Sequence, residues 1–325
     1  MDKPFYLEFL EVLDRRYQLP DESKKRLWAL QVGHQGQVVF DRILNQHVPT
    51  GWQILHNLNF ARDFGKIQID TLVISPHVIY HFEVKNLVSD YEFRDNSWYN
   101  SKNGQQYRNY FTQLNRQNEI LSLIFSELNI ELPLVSKLIL INEEDTVTFY
   151  QDMQEHYLKR WQIARFIRNE HEKFSNNSVK KSEFSESIAN LLMENTIEEF
   201  VKEQYDEQKF ITNIQGGILC PQCHYKIKLS NQSNKFILHC VNCKATESKE
   251  RAIVRTICEI GLLNYEKDLT FSIVNRFIGE PGLRRSIQRI LSKHFALTGS
   301  RKFSHYNNPK TSIERAFSKT MFYFD

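Results

Sequence analysis

Hydrophobic positions along this chain change period several times, and each change marks a different kind of element. Over residues 4–47 they recur at helical spacing. Leu7, Leu10 and Leu13 form one stripe, and Pro20-Asp21 supplies a break and a new N-cap. Val39, Ile43 and Leu44 then share one side of a second helix expected over 32–45. From Trp52 the period shortens to two. Strands are expected near 54–58, in two apolar runs within 67–86, and at 91–93 and 98–99, the last two flanking Asp95-Asn96, a dipeptide suited to a tight hairpin turn. Residues 106–128 return to the helical period through Phe111, Leu114, Ile120, Leu121 and Ile124, and 133–141 reads as another buried strand. A helical stretch is expected over 152–169, a polar linker over 171–187 and a helix over 188–206. Beyond a cysteine-rich segment, helices are expected at 249–263, from 270 to 277, and from 283 to 295. Gly279-Glu280-Pro281-Gly282 separates the last two.

Strands set among helices over 30–150 describe an α/β core of ordinary domain size. With 325 residues the chain has room for two or three units. The division expected is an N-terminal helical segment at 1–29, the α/β core at 30–150, a helical region with the linker at 151–208, a cysteine module at 209–248 and a basic helical domain at 249–325. Hydrophobic residues at 41% and aromatics at 13% suit packed cores and exclude overall disorder.

The net charge of +3 hides an uneven distribution: residues 209–325 carry 19 Lys and Arg against 8 Asp and Glu, and residues 1–208 carry 23 against 31. A basic C-terminal third points to a polyanionic partner, chance drift in a small domain being the plain alternative. Nothing has the pattern of a targeting peptide or membrane span; the longest apolar run, near 132–141, is too short and includes Lys137. Paired cysteines suit metal better than disulfides, so a cytoplasmic protein is expected.

The two runs within 67–86 each carry one acid. A loop centred between Pro76 and His77 sets Asp70 directly opposite Glu83 on one face, with side-chain roots roughly 5 Å apart. Like charges so placed destabilise a sheet unless a cation lies between them. Lys85 follows Glu83 at the strand period and shares its face. Two carboxylates holding Mg²⁺ or Mn²⁺, the Val84 carbonyl as a third oxygen and an ammonium to orient water or offset phosphate charge would suit phosphodiester cleavage. An exposed carboxylate–lysine ion pair is the ordinary alternative. His81 points the way Glu83 does and is expected as a strand histidine bonded to a neighbour. Trp98 and Tyr99 are expected as hairpin packing rather than base-stacking groups.

In order along the chain stand Gly33-His34-Gln35-Gly36-Gln37, Ile69-Asp70, Glu83-Val84-Lys85-Asn86, Trp98, and Gln113 with Arg116 three residues on. This set, over residues 30–130, resembles the NERD (nuclease-related) domain, a branch of the PD-(D/E)XK nuclease-like superfamily. The resemblance implies a PD-(D/E)XK-like central mixed sheet flanked by helices, and metal-dependent DNA cleavage. It makes Asp70 and Glu83 metal ligands and Lys85 catalytic, with Gln113 and Arg116 supporting the site or the phosphate. The family's helix reads G-x-x-G-E; here the last place is Gln37, whose amide oxygen can bind metal or water but brings no charge. A degenerate nuclease fold that binds nucleic acid without cutting is the second reading. A regulatory protein that grips another protein is the third.

Cys220-Pro221-Gln222-Cys223 and Cys240-Val241-Asn242-Cys243 enclose sixteen residues, the spacing of a tetrahedral Zn²⁺ site in a zinc ribbon. Four thiolates leave no open coordination position, which makes the metal structural. Strand-like 225–229 and 235–239 join the pairs, His224 and His239 are alternative ligands, and Cys258 is expected in a helix core. Arg284, Arg285, Arg289 and Lys293 occupy the polar sides of 283–295. Helix, breaker and basic helix outline a helix-turn-helix-like unit over DNA phosphates, and equally a solvated basic face. DNA is the expected partner, with RNA left open.

Overall fold

The computed structural model describes residues 3–144, 147–174, 182–197, 206–229, 234, 236–265, 267–299 and 304–308. The chain divides into two compact units, Ala29–Phe200 and Asp2–Trp28 with Val201–Asp325. Two helices open it. α1 (Phe5–Arg16) buries Leu7, Leu10 and Leu13, and α2 (Asp21–His47) starts directly after Pro20. The helix expected from 32 is the C-terminal part of this longer one, because residues 22–31 contain no breaker.

In the first unit an antiparallel meander of β1 (Gln53–Arg62), β2 (Gly65–Ile74) and β3 (Ile79–Lys85) begins a mixed sheet. A hairpin of β4 (Tyr91–Arg94) and β5 (Ser97–Asn100) follows, with β6 (Gln106–Tyr107) added to it. Asp95 and Asn96 both take positive φ, 51° and 55°, the conformation that a two-residue type I′ turn requires. Next come α3 (Tyr110–Glu127), β7 (Leu134–Leu140), β8 (Val147–Phe149), β9 (Tyr157–Lys159), α4 (Arg160–Phe174) and α5 (Ser182–Glu194). The main sheet has the order β1-β2-β3-β7-β9, its last three strands parallel, while β6-β5-β4-β8 forms a second sheet.

One face of the main sheet packs Ile67, Ile69, Leu72 and Ile79 against α3 and α5. The other packs Val73, Tyr80 and Phe82 against Phe40 and Leu44 of α2 and Ile163 and Ile167 of α4. Trp98 is fully buried among Phe93, Phe111 and Phe149, a packing residue as expected.

Several boundaries differ from expectation. Residues 157–159 pair with β7 instead of extending a helix from 152, since an open parallel edge captures Leu158 into the core. The linker expected over 171–187 is helical at both described ends: α4 continues to Phe174 and α5 starts at Ser182, with 175–181 outside the described residues. Among the described residues, its polar positions His171, Glu172, Lys173, Glu183 and Glu186 lie on exposed helix faces. The helix expected over 188–206 stops at Glu194, and Asp206–Asn213 is a 3-10 helix.

In the second unit β10 (Ile237–His239) pairs with β11 (Thr246–Ser248), and α6 (Lys249–Leu263), α7 (Phe271–Ile278) and α8 (Arg284–His294) follow. The cysteine module and the three helices share one core, in which Ile218, Leu238, Ile257, Cys258, Ile287 and Leu291 are buried. Gly279, at φ 64°, ends α7 in the left-handed conformation that glycine adopts without strain. The strand expected over 225–229 is a single bridge between Leu219 and Lys226, and Lys235 lies outside the described residues. Beneath the module runs a buried ion network: Arg16 and Arg255 both reach Glu259, Arg255 also reaches Glu247, and the two arginines donate to the carbonyls of Gly217 and Leu219. These bonds tie the segment leading into Cys220 to α1 and α6.

Candidate active site

The register of β2 and β3 is the one the hairpin predicts, with Thr71 opposite Phe82 and Leu72 opposite His81. The ladder stops there, one step short of Asp70 and Glu83. A local irregularity explains the stop. Ile69 and Leu72 are three residues apart yet enter the same core, as do Leu55 and Leu58 on β1. In a regular strand, residues an odd number apart face opposite sides. Asn57, which falls opposite Asp70 in the β1–β2 register, takes φ 51°. The two strands therefore carry matched extra residues, and the kink turns Asp70 out of the ladder into the gap beside β3. Asn tolerates the left-handed region better than most residues.

Lys85 of β3 directs its backbone to β7, its carbonyl accepting from Ile141 N at 3.1 Å, so the backbone of Val84 faces the gap. Asp70 Oδ2 accepts from Val84 N and Oδ1 from Gln37 Nε2, both at 2.9 Å. The carboxylate thus stands in for a missing strand partner. Gln37 reaches it because α2 packs very closely: a Cβ on Gly36 would lie 2.6 Å from Asn86 Cβ and 2.9 Å from Ile141 Cγ2. Asn86 Nδ2 donates to Val32 O at 2.7 Å and fastens the same contact. Gly33, by contrast, has nothing within 4 Å of the position its Cβ would take.

Glu83 is 2% exposed and faces α3. Its Oε1 accepts from Lys85 Nζ at 2.5 Å and Gln113 Nε2 at 2.6 Å, and its Oε2 from Gln117 Nε2 at 2.9 Å. Asn109 caps α3 by accepting from Phe111 N, and its Nδ2 donates to Asn96 O, which seats the helix against the β4–β5 turn. Lys85 Nζ also lies 5.0 Å from the centre of the Tyr110 ring. Burial and the neighbouring Glu83 raise the Asp70 carboxyl from 3.8 to about 7, against the opposing pull of Lys85, Val84 N–H and Gln37. Burial works to discharge Lys85, but Glu83 and Asp70 outweigh it and hold its pKa above the ordinary value.

The structure brings Asp70, Glu83, Val84, Lys85, Gln37 and Gln113 together. Arg116 is exposed on α3 and makes no bond to this group. Gln117, Tyr110 and Asn57 are members that the sequence reading missed. Gln117 was within reach, standing four residues after Gln113 on the same side of a helix; the strand irregularity left no mark in the hydrophobic pattern. His81 is fully buried and its Nδ1 lies 2.8 Å from Asn118 Oδ1, the neighbour-bonded strand histidine expected.

The donors around Asp70 and Glu83 are oxygens of two carboxylates, a carbonyl and an amide that can turn its Oε1 inward. That set suits a hard divalent cation. The elevated Asp70 pKa reflects loss of solvent first and the neighbouring Glu83 charge second.

The four cysteine sulfurs lie within 4.8 Å of one another, with Cys220–Cys243 and Cys223–Cys240 both at 3.5 Å. Tetrahedral Zn–S bonds of about 2.3 Å put sulfurs about 3.8 Å apart, so the cluster fits structural zinc. Each pair is the same tight turn. His224 N donates to Cys220 O and Lys244 N to Cys240 O, and both of these fourth residues take positive φ, 57° and 64°. His224 and His239 do not join the cluster. Of the basic residues, Arg289 and Lys293 lie 3.5 and 2.9 Å from Glu250, Arg284 stacks over Phe271, and Arg285 is exposed. No helix among the described residues is long and apolar enough to cross a membrane.

The first unit is a mixed α/β domain with the half-buried Asp70 and the buried Glu83 at a break in its central sheet. Residues 32–141 match the family model of the nuclease-related domain. No curated protein and no solved structure matches the chain.

Proposed function

We propose that the protein is a metal-dependent nuclease that hydrolyses phosphodiester bonds of DNA, in a PD-(D/E)XK-like fold. The observation that carries this reading is the half-buried Asp70 beside the buried Glu83, whose own carboxylate also holds Lys85 Nζ. Asp70, Glu83, the Val84 carbonyl and Gln37 would hold Mg²⁺ or Mn²⁺, which would supply Lewis-acid stabilisation and an acidified water. Gln113 and Gln117 fix the Glu83 rotamer, and Lys85 presents its ammonium where phosphate charge builds up. Arg116, exposed one turn from Gln113, is free to meet the phosphate backbone. The cysteine cluster would be a zinc ribbon that, with Arg284, Arg285, Arg289 and Lys293, adds affinity for DNA.

A nucleic-acid-binding domain without cleavage is the second reading, favoured by the uncharged Gln37. Incubation of the purified chain with single- and double-stranded DNA and RNA, across several divalent ions, tests both. Cleavage that needs a divalent ion and disappears in Glu83→Ala is expected. Activity undiminished in that variant overturns the assignment, and binding without cleavage favours the second reading.

A further inference from the structure

The side of α4 turned away from the core carries three side chains that the acid site does not use. Trp161 is 71% exposed. Arg165 and Arg168 follow at i+4 and i+7 on the same side of the helix, both exposed and, among the described residues, without an ion pair. Ile163 and Ile167 are fully buried on the opposite side, which fixes the direction of the stripe. It ends at Glu172, one turn past Arg168.

Strand register puts the first turn of α4 at the same end of the sheet as the acid site, with α4 on the face opposite the one that Glu83 turns to α3. Lys85 pairs with Leu140 in β7, Leu140 pairs with Lys159 in β9, and all three strands run parallel. The end of the sheet that bears Lys85 therefore continues sideways through Lys159 into the first turn of α4. Two strand spacings, roughly 10 Å, separate the two lysines along the sheet.

We infer that Trp161, Arg165 and Arg168 form a subsite for single-stranded nucleic acid, an unpaired base stacking on the indole while adjacent phosphates meet the two guanidiniums. The inference rests on the acid site acting on phosphodiesters, and it concerns residues outside the matched segment 32–141. A polyanion satisfies the unpaired cations. Only a partner with bare ring faces also covers the indole, and a duplex hides those faces within its stack. An acidic peptide would neutralise the arginines and leave Trp161 wet.

The test measures binding of labelled oligo(dT), oligo(U) and a DNA duplex to the full chain by fluorescence anisotropy without added divalent cation, so that cleavage plays no part. Trp161→Ala is expected to weaken single-strand binding about 5- to 100-fold, with little effect on duplex, and Trp161→Phe to recover most of the loss. Arg165→Ser and Arg168→Ser should each lower the salt dependence of single-strand binding by a slope of roughly 0.7. The exposure of Trp161 makes an unchanged melting temperature the control for folding. Unchanged single-strand affinity in Trp161→Ala, equal losses on single strand and duplex, or no nucleic-acid binding by the parent chain would each overturn the subsite. A protein that binds in this way but never cuts would retain the subsite and lose the nuclease reading.

Discussion

Replacing Asp70 by Asn should make the metal-free protein more stable at pH 8 while ending any activity. The carboxyl titrates at about 7 in the folded protein against 3.8 ordinarily. Between those values the folded chain keeps a proton that the unfolded chain has released, so stability falls as pH rises from about 4 and the full penalty is present above about 7. Three pH units at 1.36 kcal/mol each set a ceiling of about 4 kcal/mol. Asn never ionises, but its amide N–H₂ must face Gln37 or the Val84 N–H. Losing one hydrogen bond there costs about 1 kcal/mol. A net gain of about 1–3 kcal/mol follows, several degrees of melting temperature for a unit of this size.

Thermal or urea unfolding of both proteins between pH 4 and 8 would measure it, first without divalent ions and then with Mg²⁺. The gain should disappear as pH falls toward 4, where only the cost of about 1 kcal/mol for the lost hydrogen bond remains, and Mg²⁺ should raise the melting temperature of the parent but not of Asp70→Asn. A variant less stable than the parent at pH 8, or a difference that ignores pH, would refute the account of Asp70 as a half-buried anion awaiting a cation.

The two glycines of α2 should behave oppositely: Gly36→Ala forces a Cβ against Asn86 and Ile141 and should cost about 1–3 kcal/mol and lower activity, while Gly33→Ala meets open space and should add up to about 1 kcal/mol of helix stability. Circular-dichroism melts of the pair would decide it. Metal analysis of the unreduced protein should find one zinc per chain, lost in Cys240→Ser together with stability of the second unit; a zinc-free parent protein would remove the site. Glu259→Ala should destabilise that unit by about 3–5 kcal/mol, because it strands the buried Arg16 guanidinium and leaves Arg255 with Glu247 alone, and denaturant titration would show the shift. Charge reversal at Arg284 and Arg285 should flatten the salt dependence of DNA binding; an unchanged slope would place the DNA elsewhere.

Local chemistry made much of this protein legible before any fold was known. Asp95-Asn96 announced a turn because few other residues accept two positive φ angles in succession. Thr270 and Gly279 bounded α7 through the cap bonds that a helix end requires. The cysteine pairs declared a metal cluster because sulfur spacing is set within each short turn. The register of β2 against β3, with Thr71 opposite Phe82, followed from alternation and loop length alone.

Long-range packing decided the rest. Whether residues 157–159 became helix or strand depended on an edge of β7 lying nearly twenty positions earlier. The break that turns Asp70 into the gap needs β1, β2 and β3 together, and the period-two pattern of any one of them conceals it. Gly36 looks like a helix weakness until Asn86 stands against it. Sequence by itself set the residues able to carry the chemistry and the short turns that hold them. Tertiary structure decided how close the acids come, what solvent they lose and which amides bind them, because burial and charge coupling arise only between segments that the chain brings together from afar.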